Sequence, residues 1–325
     1  MSSVLSIIIP VYNAVQYIEM CVESIFSGTS RDLEVLLIDD GSTDASGLLC
    51  DQLAKKYSGI RVFHTENRGL AEARNLGLQH AAGQYIGFVD ADDTVAPNMF
   101  ETMLRCMRED VQLVACRFLR CQETDARITD ASISAERVVD QAGAMEQLMK
   151  GGYGTYVWNK LFRKEILDAN QIWFPRNCRA IEDVFFVCEY MRYCERAAFL
   201  DDALYFYIMH SGSIMNTFRQ NRTVNSSYIN LPRGWRYYSE TVKKIAPALQ
   251  LEPRARTVMF YQTVLRKLAD PETEYVQEAI AYVKQNKSAL LRYRWGLKYY
   301  LSAIVLSISY PLWSAIFRRG VGKHQ

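Results

Sequence analysis

Four short polar segments, each following an apolar run, hold the residue types that could do chemistry. They are residues 10–13 (PVYN), 39–44 (DDGSTD), 67–75 (NRGLAEARN) and 90–93 (DADD). The last segment places three carboxylates in four residues, a set of hard oxygen ligands that suits Mg²⁺ or Mn²⁺ bridging to phosphates. Because adjacent carboxylates repel one another, both acidic segments favour a bound cation or hydrogen-bond donors.

The first three segments offer groups that could hold a planar base and an anion. Tyr12 could stack on a base, and Asp40 could accept hydrogen bonds from a base edge or a ribose hydroxyl. Arg68 beside Gly69 could meet an anionic group where a helix begins. Taken singly, each segment is equally explained as a loop with Asn13 capping a helix, a solvated turn or surface charge.

The elements that would position these segments alternate between apolar runs and helical patterns. We predict strands at residues 4–9, 33–38, 60–64, 85–89 and 111–118. Between and after them we predict helices at 13–26, 42–57, 70–81, from 97 onward, 136–150 and 182–193. The order predicts an α/β fold with a Rossmann-like, mainly parallel sheet and helices on both faces. Ligands of such sheets bind beyond the carboxyl ends of the strands, where the polar segments lie.

In combination, the motifs IIPVYN, IDDGSTD, ENRGLAEARNLGL and YIGFVDADD resemble the family-2 glycosyltransferases, which have a GT-A fold. The resemblance covers about residues 4–120. It continues more weakly through residues 158–162 (WNKLF), 182–186 (EDVFF) and 210–215 (HSGSIM). That later pattern is similar to bacterial enzymes that build capsule, exopolysaccharide or lipopolysaccharide chains.

The resemblance implies a role for each matching residue. The nucleotide would be held by Pro10, Tyr12, Asn13, Asp40, Arg68 and Asp90. The metal, Mg²⁺ or Mn²⁺, would be bound by Asp92 as leading ligand, with Asp90 and Asp93. Asp183 would be the general base with Glu182 beside it; the motif here is Ile181-Glu182-Asp183, which leaves the choice between the two carboxylates open. An acidic helix N-terminus is the structural alternative.

Three later residues are weaker candidates for binding the acceptor or the diphosphate. Trp158 and Lys160 could line an acceptor site, and His210 could contact the diphosphate or the metal. Core packing of Trp158 and a structural role for His210 are the alternatives.

The implied function is an inverting, metal-dependent glycosyltransferase that uses a nucleotide sugar, with a UDP-sugar as first choice. Its acceptor would be a lipid-linked or growing bacterial surface glycan. Two alternatives stay open: a nucleotidyltransferase acting on sugar phosphates, and an inactive nucleotide-binding scaffold. We predict a glycosyltransferase domain over residues 1–220, with a nucleotide-binding half (1–120) and an acceptor half (121–220). A helical region would follow at 221–325.

Charge is distributed unevenly along the 325 residues, although the net charge is only +2. No acidic residue follows Glu278, whereas eight Lys or Arg residues do. Residues 1–278 are therefore net acidic, which argues against nucleic-acid binding, whereas the basic end suggests contact with an anionic surface.

Within that basic end, residues 299–317 are uncharged and near the length of a membrane span. We expect an interfacial helix or helical hairpin over about residues 285–325, with core packing or a true span as alternatives. The eight cysteines contain no CxxC pair and are typical of reduced thiols. The predicted location is therefore cytoplasmic, on the inner face of the membrane.

Overall fold

The protein is described here by a computed structural model that covers residues 4–28, 33–122, 136–149, 152–176, 181–210, 226–268, 270–293 and 297–318. The described chain forms two compact units. The first lies within Met1–Asn177 and Phe186–His210, and the second within Cys178–Phe185 and Ser211–Gln325. The domain boundary predicted at residue 220 falls between 211 and 225, outside the described residues.

The first unit is built on one mixed sheet. Its strands are β1 (Leu5–Val11), β2 (Leu33–Asp39), β3 (Ile60–His64), β4 (Tyr85–Phe88), β5 (Thr94–Val95), β6 (Leu113–Gln122), β7 (Glu136–Asp140), β8 (Lys160–Arg163) and β9 (Arg196–Met209). The order is β3-β2-β1-β4-β8-β6-β9-β5, and β7 pairs with β9. Strands β3, β2, β1 and β4 are parallel. Strand β8 runs antiparallel between β4 and β6, and β6 is parallel to β9.

The helices follow in chain order, and most lie close to the predicted positions. They are α1 (Ile18–Phe26), α2 (Ser46–Lys56), α3 (Leu70–His80), α4 (Met99–Cys106), α5 (Gln141–Met149), α6 (Lys164–Ala169), α7 (Glu182–Met191), α8 (Asn230–Ile245), α9 (Leu251–Lys267), α10 (Thr273–Asn286), α11 (Ser288–Arg292), α12 (Leu297–Ile308) and α13 (Tyr310–Phe317). All seven residues of β1 and of β2 are buried, which explains why most of them are apolar. The predicted α/β class and mainly parallel sheet with helices are confirmed.

Two local predictions are wrong. Asn13 does not cap a helix, because α1 begins only at Ile18 and its N-cap position is Tyr17. Residues 136–150 were expected to be helical throughout, yet Glu136–Asp140 is a strand. That segment pairs with β9 in antiparallel register, so sheet pairing overrides its helical pattern.

The second unit is helical and has its own core. Val258, Tyr261, Val283, Leu290 and Trp313 are all fully buried in one cluster. The apolar stretch 299–317 forms two helices, α12 and α13, rather than one. Ser309 separates them, and its Oγ accepts a hydrogen bond from the Leu312 N–H at the start of α13. Within the described residues, none of the helices has both the length and the apolarity needed for a transmembrane segment.

Candidate functional site

Asp40, at the carboxyl end of β2, holds the loop that enters α3. Its Oδ1 accepts a hydrogen bond from the Arg68 N–H and its Oδ2 one from the Gly69 N–H, each at 2.8 Å. Gly69 has φ +91°, a left-handed conformation that favours glycine. The Asp40 side chain is therefore fixed, and it positions the backbone beside Arg68.

The neighbouring carboxylate, Asp39, is held by other groups. Its Oδ1 accepts a hydrogen bond from the Ser42 N–H at 3.0 Å, and its Oδ2 lies 2.8 Å from Nδ1 of His64. Burial would raise the pKa of Asp39, but the hydrogen bonds from Ser42 and His64 outweigh it and lower that pKa. The hydrogen bond with Asp39, reinforced by one with Asp51, raises the pKa of His64. Hydrogen bonds to both carboxylates thus offset the repulsion expected between Asp39 and Asp40.

The segment after β1 lies against the segment after β2. Asn13 has φ +50°, and its Oδ1 accepts a hydrogen bond from the Thr43 N–H at 2.8 Å. Pro10 is buried within β1, whereas the Tyr12 side chain is 51% exposed. Of these residues predicted to bind the nucleotide, Tyr12 exposes an aromatic ring. Asn13 links the segments that follow β1 and β2 through its hydrogen bond with Thr43.

Arg74 approaches the same edge of the sheet from α3. Its Nη2 donates to Oδ1 of Asp90 at 2.9 Å, and its guanidinium lies over the Phe174 ring. Arg74 is 1% exposed. Arg74 lies within the ENRGLAEARNLGL motif, yet no role for it was predicted from the sequence. Its burial could have been predicted from its position between Ala71 and Leu78, on the buried side of α3. A buried arginine needs a partner, which would have pointed to a carboxylate nearby.

Asp92 and His210 are brought together from distant parts of the chain. Nε2 of His210 forms a hydrogen bond with Oδ2 of Asp92. The imidazole stacks on Tyr17, with ring centroids 5.5 Å apart. Both side chains remain partly exposed, so a carboxylate and an imidazole face solvent side by side.

Asp93 faces the interior, which conflicts with its predicted role as a metal ligand. It is 1% exposed. Its Oδ2 accepts from the Tyr205 hydroxyl at 2.6 Å and its Oδ1 from the Ile208 N–H at 2.8 Å. Burial, and next the charges of Asp90 and Asp92, raise the pKa of Asp93. The structure thus gives Asp93 the role of joining β9 to the acidic segment.

Lys160 is also buried, which conflicts with its predicted contact with an acceptor. Its Nζ donates to the carbonyl oxygens of Tyr153, Gly154 and Tyr156 at 2.7–3.1 Å, and the residue is 0% exposed. Trp158 is 4% exposed and stacks between Tyr156 and Tyr205. Core packing, the alternative stated for Trp158, therefore describes its position.

A cavity of about 170 Å³ lies beside Asp40 on the α3 side. Its lining includes Thr65, Arg68, Glu72, Asn75 and Arg176. Most of the lining residues are polar, and Asp40 and Thr65 reach the cavity from just beyond the ends of β2 and β3. Asp40, the residue predicted to contact the base, and Arg68 therefore line the same cavity.

Glu182 and Asp183 are the first two residues of α7, and both belong to the second unit, whereas α7 from Phe186 onward belongs to the first. Glu182 is 6% exposed, whereas Asp183 is less buried. The preceding Ile181 has φ +70°, an unusual conformation for a β-branched residue. Residues 211–215 of the HSGSIM motif lie outside the described residues.

The Asp92 carboxylate is a hard oxygen ligand that suits Mg²⁺ or Mn²⁺, and His210 places an imidazole nitrogen beside it. Among the described residues, no group of three or more His, Cys, Asp or Glu side chains could hold a metal ion. Mg²⁺ is commonly bound by one or two carboxylates together with substrate phosphates. The residues present therefore fit a cation that is held jointly with a phosphorylated ligand.

Comparison with known families places residues 6–170 within the family described as glycosyl transferase family 2. Similar curated proteins include the uncharacterized glycosyltransferase EpsJ of Bacillus subtilis strain 168, 36% identical over 66% of this chain. Another is the glycosyltransferase GlyG of Streptococcus pneumoniae serotype 4, 34% identical over 67% of this chain. The match spans 63% of EpsJ, under two thirds of that relative's length, and 74% of GlyG.

Solved structures share the fold at low sequence identity. S. aureus TarS residues 1–349 in complex with UDP-GlcNAc superposes with a TM-score of 0.65 and 17% identity, over 94% of this chain and 88% of that chain. The mannosyltransferase PcManGT of Pyrobaculum calidifontis, in complex with GDP-Man and Mn²⁺, has a TM-score of 0.57 and 17% identity. That match covers 95% of this chain and 88% of PcManGT. The GT-A architecture expected from the motifs is thereby confirmed.

Proposed function

The chain belongs to glycosyl transferase family 2, and we propose that it transfers a sugar from a nucleotide sugar to a hydroxyl group of a lipid-linked or growing bacterial glycan. The observation that carries the proposal is the pairing of Asp92 with His210, close in sequence to the fixed Asp90 at the end of β4. A UDP-sugar is the first candidate donor, since TarS, which shares the fold, was solved with UDP-GlcNAc. GDP-Man, held by PcManGT, is the second.

On the nucleotide side, Tyr12 and Asp40 would bind the base. Tyr12 is half exposed and offers a ring face for stacking. Each Asp40 oxygen already accepts one backbone N–H, and a carboxylate oxygen keeps a further lone pair for the edge of a base. Arg68 lines the same cavity as Asp40 and would meet the ribose or the phosphates.

On the diphosphate side, Asp92 and His210 would hold Mg²⁺ or Mn²⁺ together with oxygens of the donor. When bound, the cation would act as a Lewis acid that stabilises the charge on the leaving nucleoside diphosphate. Arg74 keeps the Asp90 carboxylate in one orientation, so Asp90 is ready to meet the ribose or the cation. Tyr205 and Ile208 hold Asp93 in the interior.

Inversion at the sugar requires a carboxylate that removes the acceptor's proton while its hydroxyl attacks from the face opposite the nucleotide. We assign this role to Asp183, because it is less buried than Glu182. Both carboxylates lie in the first turn of α7.

The test is a thermal-shift panel of UDP-, GDP-, CDP- and dTDP-sugars with Mn²⁺, Mg²⁺ or EDTA, followed by an assay of donor hydrolysis. We expect one nucleotide class to raise the Tm in a cation-dependent manner and to be turned over slowly without acceptor. Protection without turnover of any donor, even with glycan acceptors, would favour the inactive scaffold. Product formation from a nucleoside triphosphate and a sugar phosphate would favour the nucleotidyltransferase.

A further inference from the structure

The last two described helices expose large apolar side chains. On α12 these are Leu297 (64% exposed), Leu301 (50%) and Ile308 (77%), and on α13 they are Leu312 (52%) and Ile316 (46%). We call these five side chains the apolar face. Exposed apolar side chains are ordinary when scattered singly, but a contiguous set indicates a site of interaction.

On α12 the apolar face lies opposite the side that packs on the protein. Leu297, Leu301 and Ile308 are separated by four and seven residues, a spacing that puts them on one side of a helix. Ala303 and Leu306 point to the other side and are fully buried in the core of the second unit. Helix α12 is therefore apolar on two sides. The core of the second unit covers one side, and the other side is exposed.

Internal contacts fix the two helices to each other. Trp313 of α13 is fully buried, and its Nε1 donates to Oγ of Ser302 in α12 at 2.9 Å. Ser302 is likewise fully buried. These contacts leave Leu312 and Ile316 of α13 exposed, as the three α12 residues are.

Exposed basic residues precede and follow the start of the apolar face in the sequence. Lys298 follows Leu297 in α12, and Lys284 and Arg292 precede it; all three are exposed. The sequence after Glu278 contains eight Lys or Arg residues and no Asp or Glu. A second copy of the chain would bring like charges together across such a surface, whereas an anionic partner would be attracted.

We propose that the apolar face inserts into the surface of an anionic lipid bilayer, with the surrounding Lys and Arg side chains against the lipid headgroups. Apolar side chains that enter the headgroup and acyl boundary supply binding strength, and basic residues add attraction to anionic lipid. This docking goes beyond the chemistry of sugar transfer and does not depend on it. It would place the enzyme where lipid-linked acceptors are found.

The experiment measures binding of the full chain to vesicles by flotation, with phosphatidylglycerol and phosphatidylcholine at equal amounts or phosphatidylcholine alone. The test variant combines Leu301→Ser and Ile308→Ser. The matched control is Leu48→Ser, which changes a side chain 69% exposed on α2 in the first unit. We expect wild type and control to bind the anionic vesicles, and the test variant to bind at least about tenfold more weakly. Replacing Lys298 by Gln should weaken binding about fivefold at low salt.

Melting curves establish that each variant is folded before its binding is compared. Failure of the wild type to bind anionic vesicles would overturn the proposal, as would equal binding by wild type and test variant. The proposal would also be overturned if light scattering showed a concentration-dependent dimer and the same two substitutions dissociated it. Donor protection is measured on the same proteins, and its absence from all of them would count against the proposed sugar transfer alone.

Discussion

Arg74 and Asp90 form an ion pair that joins α3 to the end of β4, with 2.9 Å between Nη2 and Oδ1. The arginine side chain is 2% exposed and the aspartate 26%. The Phe174 ring lies under the guanidinium, so the arginine is held on two sides. Asp90 therefore has its orientation fixed by the fold before any ligand arrives.

Replacing Arg74 by Met should destabilise the protein by about 3 kcal/mol, because it removes the buried guanidinium that pairs with Asp90 and packs on Phe174. Arg74→Lys should give an intermediate loss, since Lys keeps the charge but not the planar group over Phe174. The measurement is urea unfolding. The control is Arg105→Met, whose exposed pair with Glu101 should contribute less than about 1 kcal/mol. Equal losses for Arg74→Met and Arg105→Met would contradict the structural importance of the buried pair.

Replacing Asp92 by Asn, or His210 by Asn, should abolish the cation-dependent part of donor protection. Each change removes one of the two groups proposed to share the cation with the diphosphate, and turnover should fall by about 100-fold or more. Thermal shifts with and without EDTA and the rate of donor hydrolysis report the two effects. Asp168→Asn, on the exposed surface of α6, is the control and should match wild type. Retention of cation-dependent protection in both site variants would remove Asp92 and His210 from the metal site.

The pair between His64 and Asp39 predicts how stability depends on pH. Its hydrogen bonds raise the pKa of His64, so the protonated ring contributes its full stabilisation below the unfolded value of about 6.5. That contribution is lost as pH rises through the higher pKa of the folded protein. The pKa of Asp39 is lowered, so its contribution is present above about pH 4 and is lost on further acidification.

His64→Gln tests this pH dependence directly. The difference in free energy of unfolding between wild type and variant should be largest near pH 5–6 and should shrink towards pH 8.5. Urea unfolding at several pH values measures it. A difference that stays constant or grows with rising pH would show that the ring is not protonated in the folded protein.

The parallel half of the fold could be predicted from sequence because its strands are buried on both faces. A strand such as β2, with all seven residues buried, is mostly apolar, and its continuous apolar run at Val35–Ile38 is visible in the sequence. Strand β7 was missed because its two ends are polar and partly exposed, and it is defined by pairing with β9. Such pairing depends on residues about 60 positions away, which a local pattern does not contain.

The candidate site could be predicted only as far as the segments that form it. Asp92 and Asp93 are adjacent carboxylates, and the sequence gives no reason to separate them. The fold separates them, because the Tyr205 hydroxyl, 112 positions later, donates a hydrogen bond to the buried Asp93. His210 instead forms a hydrogen bond with Asp92. Lys160 was misassigned for the same reason. Its ammonium is satisfied by carbonyl oxygens of the turn at residues 153–156, and no side-chain pattern predicts that turn.

Ile181 has a backbone conformation that is rare for its residue type, and Gly234 lies against it. Ile181 has φ +70°, which costs an L-residue about 1–2 kcal/mol. A Cβ added to Gly234 would lie 2.8 Å from Cγ2 of Ile181. Both residues belong to the second unit, and Ile181 directly precedes Glu182 and Asp183. The position of the proposed base is thus connected to the packing of Ile181 on α8.

This contact predicts that Gly234→Ala has opposite effects on the free energy of unfolding in the wild type and in the Ile181→Gly background. Gly234→Ala should destabilise the wild type by about 1–3 kcal/mol, because the new methyl group overlaps Ile181. In the background Ile181→Gly, the overlap is gone, and Gly234→Ala should stabilise by about 0.5–1 kcal/mol, the usual advantage of Ala over Gly inside a helix. Urea unfolding of the four proteins gives the coupling energy. Donor turnover should fall in Gly234→Ala and recover in the double variant. Additive effects of the two substitutions would show that Gly234 does not hold Ile181, and that the unusual φ at residue 181 is maintained by other contacts.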